Sequence, residues 1–161
     1  MYDDLKGKTA FIMGAANPRG LGAGIAAALA AAGARVCLGD RDAAVAGAAR
    51  ALAERQGSEP LYVQGDLLSD SSVSRMAAAV AALCPRLDVL VQCAGCMPLR
   101  QGATADTAPE DWAGTIDLNL IGTHRLLRAS VPLLRAGGST LSLASRAAVR
   151  PLPGLCPSSA A

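Results

Sequence analysis

Apolar residues along this chain fall into two alternating patterns. Short apolar runs bounded by glycine or polar residues predict buried strands, and longer stretches with apolar residues at helical spacing predict helices. The predicted strands are Thr9–Met13, Arg35–Gly39, Leu61–Gln64, Leu87–Val91 and Ser139–Ala144. The predicted helices cover residues 23–32, an alanine-rich stretch that ends near residue 56, residues 69–84 and residues 109–136. This alternation predicts an α/β fold with a doubly wound parallel sheet.

The last predicted helix is the longest. Pro109 is tolerated in its first turn, and Gly137 with Gly138 is expected to end it. Its apolar residues are expected near one face, at Trp112, Ile116, Leu120, Leu127 and Leu134. Prolines at positions 151, 153 and 157 exclude a long helix in the final segment.

The composition agrees with one domain spanning residues 1–161. Hydrophobic residues make up 52% of the chain and aromatic residues only 2%, so small and aliphatic side chains must form the core. The formal net charge is +2 and the basic residues are scattered, which argues against nucleic-acid binding. No apolar stretch is long enough for a bilayer, and the polar N-terminus is unlike a secretory signal. We therefore expect a cytoplasmic protein with no membrane partner.

The stretch from Lys8 to Asp40 has the layout of a dinucleotide site. A strand leads into a turn that contains Gly14, Gly20 and Gly22, and a helix and a second strand then end at Asp40. Glycines let the backbone approach a pyrophosphate, whose charge the N-terminus of the helix stabilises. A carboxylate after the second strand accepts hydrogen bonds from a ribose diol. A purely structural glycine-rich turn is the alternative, but the strand, helix and acid in this order favour cofactor binding.

The whole chain resembles the short-chain dehydrogenase/reductase family. After the glycine turn, the family's marker residues follow in family order at Asp66, Ala94, Gly95, Asn119 and Ser145. The resemblance implies a Rossmann-like fold of about five strands in the order 3-2-1-4-5, incomplete at the C-terminus. It also implies an NAD(P)-dependent oxidoreductase that transfers hydride between the nicotinamide and an alcohol or a carbonyl compound.

The resemblance implies a cofactor role for a defined set of residues. The three glycines of the turn match the family's phosphate loop. Asp40 matches the residue that holds the adenosine ribose, and Asp66 with Leu67 matches the adenine pocket. The full set is Gly14, Asn17, Arg19, Gly20, Leu21, Gly22, Asp40, Arg41, Asp66, Leu67, Cys93, Ala94 and Gly95. An acid at the ribose attracts the diol and repels a 2′-phosphate, so we expect NAD. Arg19 and Arg41 are the signals that favour NADP.

The catalytic residues that the resemblance implies are only partly present. Asn119 matches an asparagine that anchors a proton-relay water, and Ser145 matches the serine that hydrogen-bonds the substrate oxygen. Taken singly, they also fit a solvated helix residue and a turn former. The family's tyrosine proton donor would fall at Ser158, and the chain stops before the lysine that follows it. A serine hydroxyl without a neighbouring base is a poor acid–base catalyst, so we expect the isolated chain to be inactive or very weak.

Other positions depart from the family pattern. Five residues separate Gly14 from Gly20 where standard members have three, a spacing similar to that of the family's divergent enoyl reductases. Gln92 and Cys93 replace the usual pair of asparagines, so an amide group is lost near the cofactor. Cys93 and Cys96 have the spacing of a redox motif but lie in this cofactor loop rather than in a thioredoxin-like unit. No group of histidine, cysteine and carboxylate residues has the sequence spacing that metal ligands show.

The fifth strand is expected to form an edge of the sheet. Its unpaired backbone groups and apolar surface predict that the chain is marginally stable alone, forms a homo-oligomer, or pairs with a full-length homologue. Three functions stay open: an oxidoreductase by descent, a non-catalytic dinucleotide-binding or interaction module, and a product with no function of its own. The substrate stays open as well.

Overall fold

The computed structural model describes residues 5–97, 103–150 and 156–160. Over these ranges, five parallel strands form a sheet in the order β3-β2-β1-β4-β5. The strands are β1 (Thr9–Met13), β2 (Arg35–Asp40), β3 (Leu61–Gln64), β4 (Leu87–Gln92) and β5 (Leu134–Ser142). This order confirms the predicted Rossmann-like fold.

Helices cover both faces of the sheet. They are α1 (Leu21–Ala31), α2 (Val45–Gln56), α3 (Asp70–Leu83), α4 (Pro109–Ile116), α5 (Thr123–Ser130) and the short α6 (Cys156–Ala160). Strand β1 separates the two layers, because its side chains alternate between them. Phe11 and Met13 pack with the side chains of α3 and α5, and Ala10 and Ile12 pack with those of α1 and α2.

The long helix predicted over residues 109–136 is wrong in two respects. A π-helical turn, Asp117–Gly122, interrupts it, and the α-helix ends at Ser130, followed by one 3₁₀ turn that contains Pro132. The wider π turn rotates the residues after it, so Gly122, Leu126 and Ser130 are buried. Leu120, expected on the buried face, is 50% exposed. The α-helix ends near Ser130 because Pro132 lacks the N–H that would continue it.

The fifth strand begins earlier than predicted. It starts at Leu134, which pairs with Leu87, and the register shifts between Leu87 and Val89. Gly137 and Gly138 therefore lie in the irregular part of a strand and do not end a helix. In the described part of the chain, β5 pairs with β4 alone, as expected for an edge, and Leu141 is 52% exposed.

Among the helices of the described ranges, none combines the length and the apolar character that crossing a bilayer requires.

Candidate cofactor-binding site

A crevice with a volume of about 190 Å³ opens at the carboxyl ends of β1, β2 and β4. This edge is where parallel α/β sheets bind ligands. Most of the predicted cofactor residues line the crevice, namely Gly14, Asp40, Arg41, Asp66, Leu67, Cys93, Ala94 and Gly95. Three further lining residues were missed from the sequence, Met13, Cys96 and Leu118. Met13 and Leu118 belong to no motif, and the redox-like spacing of Cys96 does not indicate a cofactor contact, because tertiary packing brings these residues to the crevice.

The turn after β1 comes close to its neighbours through its glycines. The N–H groups of Gly14 and Ala15 both donate to the Gly39 carbonyl, at 2.7 and 3.2 Å, which ties the turn to β2. Gly14 has a φ of +91°, and a Cβ there would lie 2.5 Å from the Ala94 nitrogen. A Cβ on Gly22 would lie 2.2 Å from the Gly14 carbonyl oxygen. The turn therefore packs directly against the backbone of α1 and of the loop after β4, an approach that a side chain at either position would prevent.

The start of α1 presents unsatisfied backbone donors beside this turn. Gly20 is the N-cap residue and supplies no side-chain hydrogen bond, so the first-turn N–H groups have no partner within the helix. Asn17 shapes the preceding segment, since its carbonyl accepts from Gly20 and its Oδ1 accepts from Arg19. Arg19 and Leu21 are exposed. These residues lie next to the crevice and do not line it.

Asp40 points toward the glycine turn from the end of β2. Its Oδ2 accepts a hydrogen bond from the Ala16 N–H at 2.9 Å, and its Oδ1 accepts from the Asp42 N–H at 3.1 Å. Each carboxylate oxygen has a second lone pair for a further donor. The carboxylate therefore lies in the crevice wall with capacity to accept hydroxyl groups, beside the side chain of Arg41.

Asp66 and Leu67 form the wall after β3. Asp66 Oδ1 accepts from the Leu68 N–H at 2.9 Å, which curls the chain, and the Leu67 side chain is buried. Arg125 reaches this wall from α5 and donates to the Leu67 carbonyl at 3.2 Å. The same guanidinium group pairs with Asp117 at 2.7 Å. Arg125 thus fixes the backbone of the predicted adenine pocket, a role that sequence reasoning did not identify.

Gln92 organises the loop that follows β4. Its side chain is buried, and its amide both donates to the Ala94 carbonyl at 2.9 Å and accepts from the Ala94 N–H at 3.1 Å. The same amide nitrogen donates to Thr123 Oγ1 at 2.9 Å, and that hydroxyl donates to the Asn119 carbonyl at 2.7 Å. This chain of hydrogen bonds holds the loop against the π turn. A polar residue that ends β4 after three consecutive apolar residues is the sequence signal for it.

Asn119 holds the next part of the loop. Its Oδ1 accepts from the Cys96 N–H at 2.8 Å, and its Nδ2 donates to the Cys96 carbonyl at 2.9 Å. Both ends of the amide therefore bind one backbone residue that lines the crevice. Burial raises the pKa of the nearby Cys93 thiol, which keeps this thiol protonated.

The two serines at the predicted catalytic positions are outside the residues that line the crevice. Ser145 is exposed, and its hydroxyl accepts the Ala147 N–H at 3.1 Å at the start of a 3₁₀ turn. Ser158 is half-buried in α6, which packs against α4. Among the described residues, no group of three or more histidine, cysteine or acidic side chains is placed to hold a metal ion.

The sequence of this chain is similar to the sequences of known proteins. A family described as "Enoyl-(Acyl carrier protein) reductase" matches residues 14–161. The chain is 38% identical over 149 residues to a D-threitol dehydrogenase of Mycolicibacterium smegmatis, covering 89% of this chain and 55% of that protein. It is 34% identical over 153 residues to a trans-4-hydroxycyclohexanecarboxylate dehydrogenase of Sinomonas cyclohexanicum, covering 89% and 56%. The chain therefore spans about half the length of these curated relatives.

Solved structures share the fold. A short chain dehydrogenase from Salmonella enterica serovar Typhi superposes with a TM-score of 0.90 at 25% identity, covering 99% of this chain and 67% of that one. A short chain dehydrogenase from Escherichia coli CFT073, complexed with NADPH, gives a TM-score of 0.91 at 25% identity, covering 99% and 68%. A short-chain type dehydrogenase/reductase from Mycobacterium ulcerans gives 0.87 at 29% identity, covering 97% and 57%.

Proposed function

The chain belongs to the short-chain dehydrogenase/reductase family, and we propose from that premise that its crevice binds a nicotinamide dinucleotide. The observation that carries the proposal is the convergence of the glycine turn and the Asp40 carboxylate on one crevice. Glycine at positions 14 and 22 fits such a turn, because a Cβ on either residue would overlap the backbone of the turn or of the loop after β4. Residues 1–161 would then form one dinucleotide-binding unit.

Each wall of the crevice suits one part of the cofactor. The first-turn N–H groups of α1 and the turn at Gly14 would hold the pyrophosphate. Asp40 would accept hydrogen bonds from the adenosine ribose, and Asp66 with Leu67 would enclose the adenine. The loop at Cys93, which Gln92 and Asn119 brace, would lie along the nicotinamide half. When bound, the cofactor would supply hydride transfer, and these residues would bind and orient it.

We propose NAD as the preferred cofactor. The Asp40 carboxylate faces the glycine turn, where a 2′-phosphate on the adenosine ribose would meet its negative charge. Arg41 is exposed and lines the crevice, so its guanidinium is the group that would favour NADP. The NADPH in the E. coli neighbour belongs to a chain 25% identical to this one. The NAD preference therefore requires that repulsion of a 2′-phosphate by the Asp40 carboxylate exceeds its attraction to the Arg41 guanidinium.

The reaction of the whole protein is proposed as oxidation of an alcohol or reduction of a carbonyl compound. Within these 161 residues the tyrosines are Tyr2 and Tyr62 and the lysines are Lys6 and Lys8, so no tyrosine–lysine pair follows Ser145. Ser145 is proposed to contact a substrate oxygen. The Asn119 side-chain amide, bound at both ends to the Cys96 backbone, is proposed to position the loop that would border the nicotinamide.

The missing pair favours a second function for this chain by itself. It would bind the dinucleotide without turning it over, as a non-catalytic module or as one part of an assembly with itself or with a longer homologue. Transfer of a proton at neutral pH needs a group whose pKa is close to that pH, and a serine hydroxyl is far from it. We therefore propose cofactor binding without measurable turnover for these 161 residues.

Titration of NADH, NAD and NADP followed by calorimetry tests the proposal. Asp40→Asn removes the charge at the ribose, and Asp42→Asn removes the same charge from an exposed residue two positions on. We expect saturable NAD binding, a shift of about tenfold toward NADP in Asp40→Asn, and no shift in Asp42→Asn. Absence of binding to the folded chain would overturn the cofactor assignment. Robust oxidation of NADH with a panel of ketones would overturn the expected lack of turnover.

A further inference from the structure

A second polar cavity lies at the amino ends of β1, β4 and β5, on the side of the sheet opposite the crevice. Its volume is about 200 Å³. The residues that line it are Lys6, Gly7, Lys8, Arg86, Asp88 and Arg135. Ligands of the family crevice bind at the carboxyl ends of the strands, so this cavity is separate from the proposed cofactor site.

The carboxylate in this cavity already has its partners. Asp88 is buried and accepts the Thr9 N–H at 2.9 Å. Lys8 Nζ lies 3.6 Å from its Oδ1, and the Arg135 guanidinium forms an ion pair with the same oxygen. Burial alone would raise the pKa of Asp88, but the Thr9 N–H and the charges of Arg135 and Lys8 outweigh it and lower the pKa. Asp88 is therefore ionised at neutral pH, with Lys8 and Arg135 as its cationic partners.

Among the described residues, the remaining charged side chains that line the cavity are both cationic. Lys6 and Arg86 are exposed, and neither forms an ion pair with a described residue. The described residues that line the cavity carry four cationic side chains and one carboxylate, an excess of three positive charges. A concave site of one sign concentrates counter-ions. The guanidinium fork of Arg86 matches two oxygens of a tetrahedral anion, and lysine adds a mobile point charge.

We propose that this cavity binds a phosphate-type anion, either inorganic phosphate or the phosphate of a small phosphomonoester. Lys6 and Arg86 are the side chains that bind it, because Lys8 and Arg135 are engaged by Asp88. Gly7 leaves the backbone open on the same side, since a Cβ there would meet no atom within 4 Å. The proposal is independent of the cofactor crevice and holds or fails separately.

Titration with inorganic phosphate at constant ionic strength, with NADH present to occupy the crevice, tests this site. The test variant is Lys6→Gln/Arg86→Gln. The matched control is Arg50→Gln/Arg75→Gln, which removes two charges from exposed positions on α2 and α3. We expect the test variant to weaken phosphate binding by about tenfold or more, and the control to stay within about twofold of the unaltered chain.

Further arms identify the ligand and keep the test decisive if a variant is poorly folded. Amide chemical shifts of the unaltered chain should move at Gly7 and Arg86 on adding phosphate, and movement only elsewhere would overturn the proposal. Glycerol 3-phosphate in place of phosphate shows whether a monoester is preferred, and either ligand supports the site if its binding depends on Lys6 and Arg86. Equal binding by both double variants, no saturation, or tighter binding to DNA than to either small anion would overturn it.

Discussion

Replacing Gly22 with alanine tests whether the glycine turn must approach α1 as closely as the structure shows. A Cβ at position 22 would lie 2.2 Å from the Gly14 carbonyl oxygen and 3.2 Å from the Ala15 Cα. Both atoms belong to the backbone, so relief requires movement of the turn or of the helix. Gly24→Ala is the matched control, because a Cβ at that position meets no atom within 4 Å.

The expected magnitudes follow from two opposing effects. Alanine in place of glycine inside a helix stabilises it by about 0.5–1 kcal/mol, which is the whole effect expected at Gly24. At Gly22 the overlap adds an overpacking cost of about 1–3 kcal/mol. The net loss is therefore about 0–2.5 kcal/mol, which for a chain of this size lowers the melting temperature by up to about 10 °C. Gly24→Ala should raise it by about 1–4 °C.

Calorimetry and NADH titration of the two variants check both consequences. Movement of the turn displaces the N–H groups that would hold the pyrophosphate, so Gly22→Ala should weaken NADH binding by about tenfold or more while Gly24→Ala leaves it unchanged. The reasoning is refuted if Gly22→Ala melts no lower than Gly24→Ala and binds NADH equally well.

Further predictions concern other parts of the chain. The stabilisation from the ionised Asp88 is present above the unfolded-state pKa of about 3.9 and is lost as pH falls through its lowered folded pKa. In urea unfolding at stepped pH, Asp88→Asn should therefore be less stable than the unaltered chain at pH 7, and this difference should vanish on acidification; a difference that stays constant contradicts it. Ser69 caps α3 through a backbone N–H at 3.3 Å, so Ser69→Ala should cost about 0.5–2 kcal/mol in urea unfolding, with Ser74→Ala, inside the helix, costing less. In alkylation followed by mass spectrometry, NADH should protect the partly exposed Cys93 in the crevice, whereas Cys37, fully buried, should react only after unfolding; labelling of Cys93 that NADH does not change would contradict its place there.

The strands and the glycine turn could be predicted because their signals are local. Apolar runs ended by glycine, an acid or glutamine predicted the strand limits to within a residue for β1 to β4. The direction of Asp40 also followed from its position at a strand end, since neighbouring parallel strands end at one edge of the sheet. Once β1 and β2 pair, the turn and this carboxylate are brought together.

The errors concern features that tertiary contacts decide. The π turn is held by contacts between distant parts of the chain, with Asn119 bound to Cys96 and Gln92 bound to Thr123. No helical periodicity contains that information. The early start of β5 depends on pairing of Leu134 with β4, which outweighs the tendency of two glycines to end a helix. Similarly, the bracing of Leu67 by Arg125 links residues 58 positions apart.

The most direct measurement is a crystal structure of the chain grown with saturating NAD. We predict density for the pyrophosphate against the first turn of α1 and the turn at Gly14, with the adenosine ribose hydroxyls within hydrogen-bonding distance of the Asp40 carboxylate. A crevice that stays empty of nucleotide at saturation, or a dinucleotide bound away from Gly14 and Asp40, would contradict the assignment of this crevice.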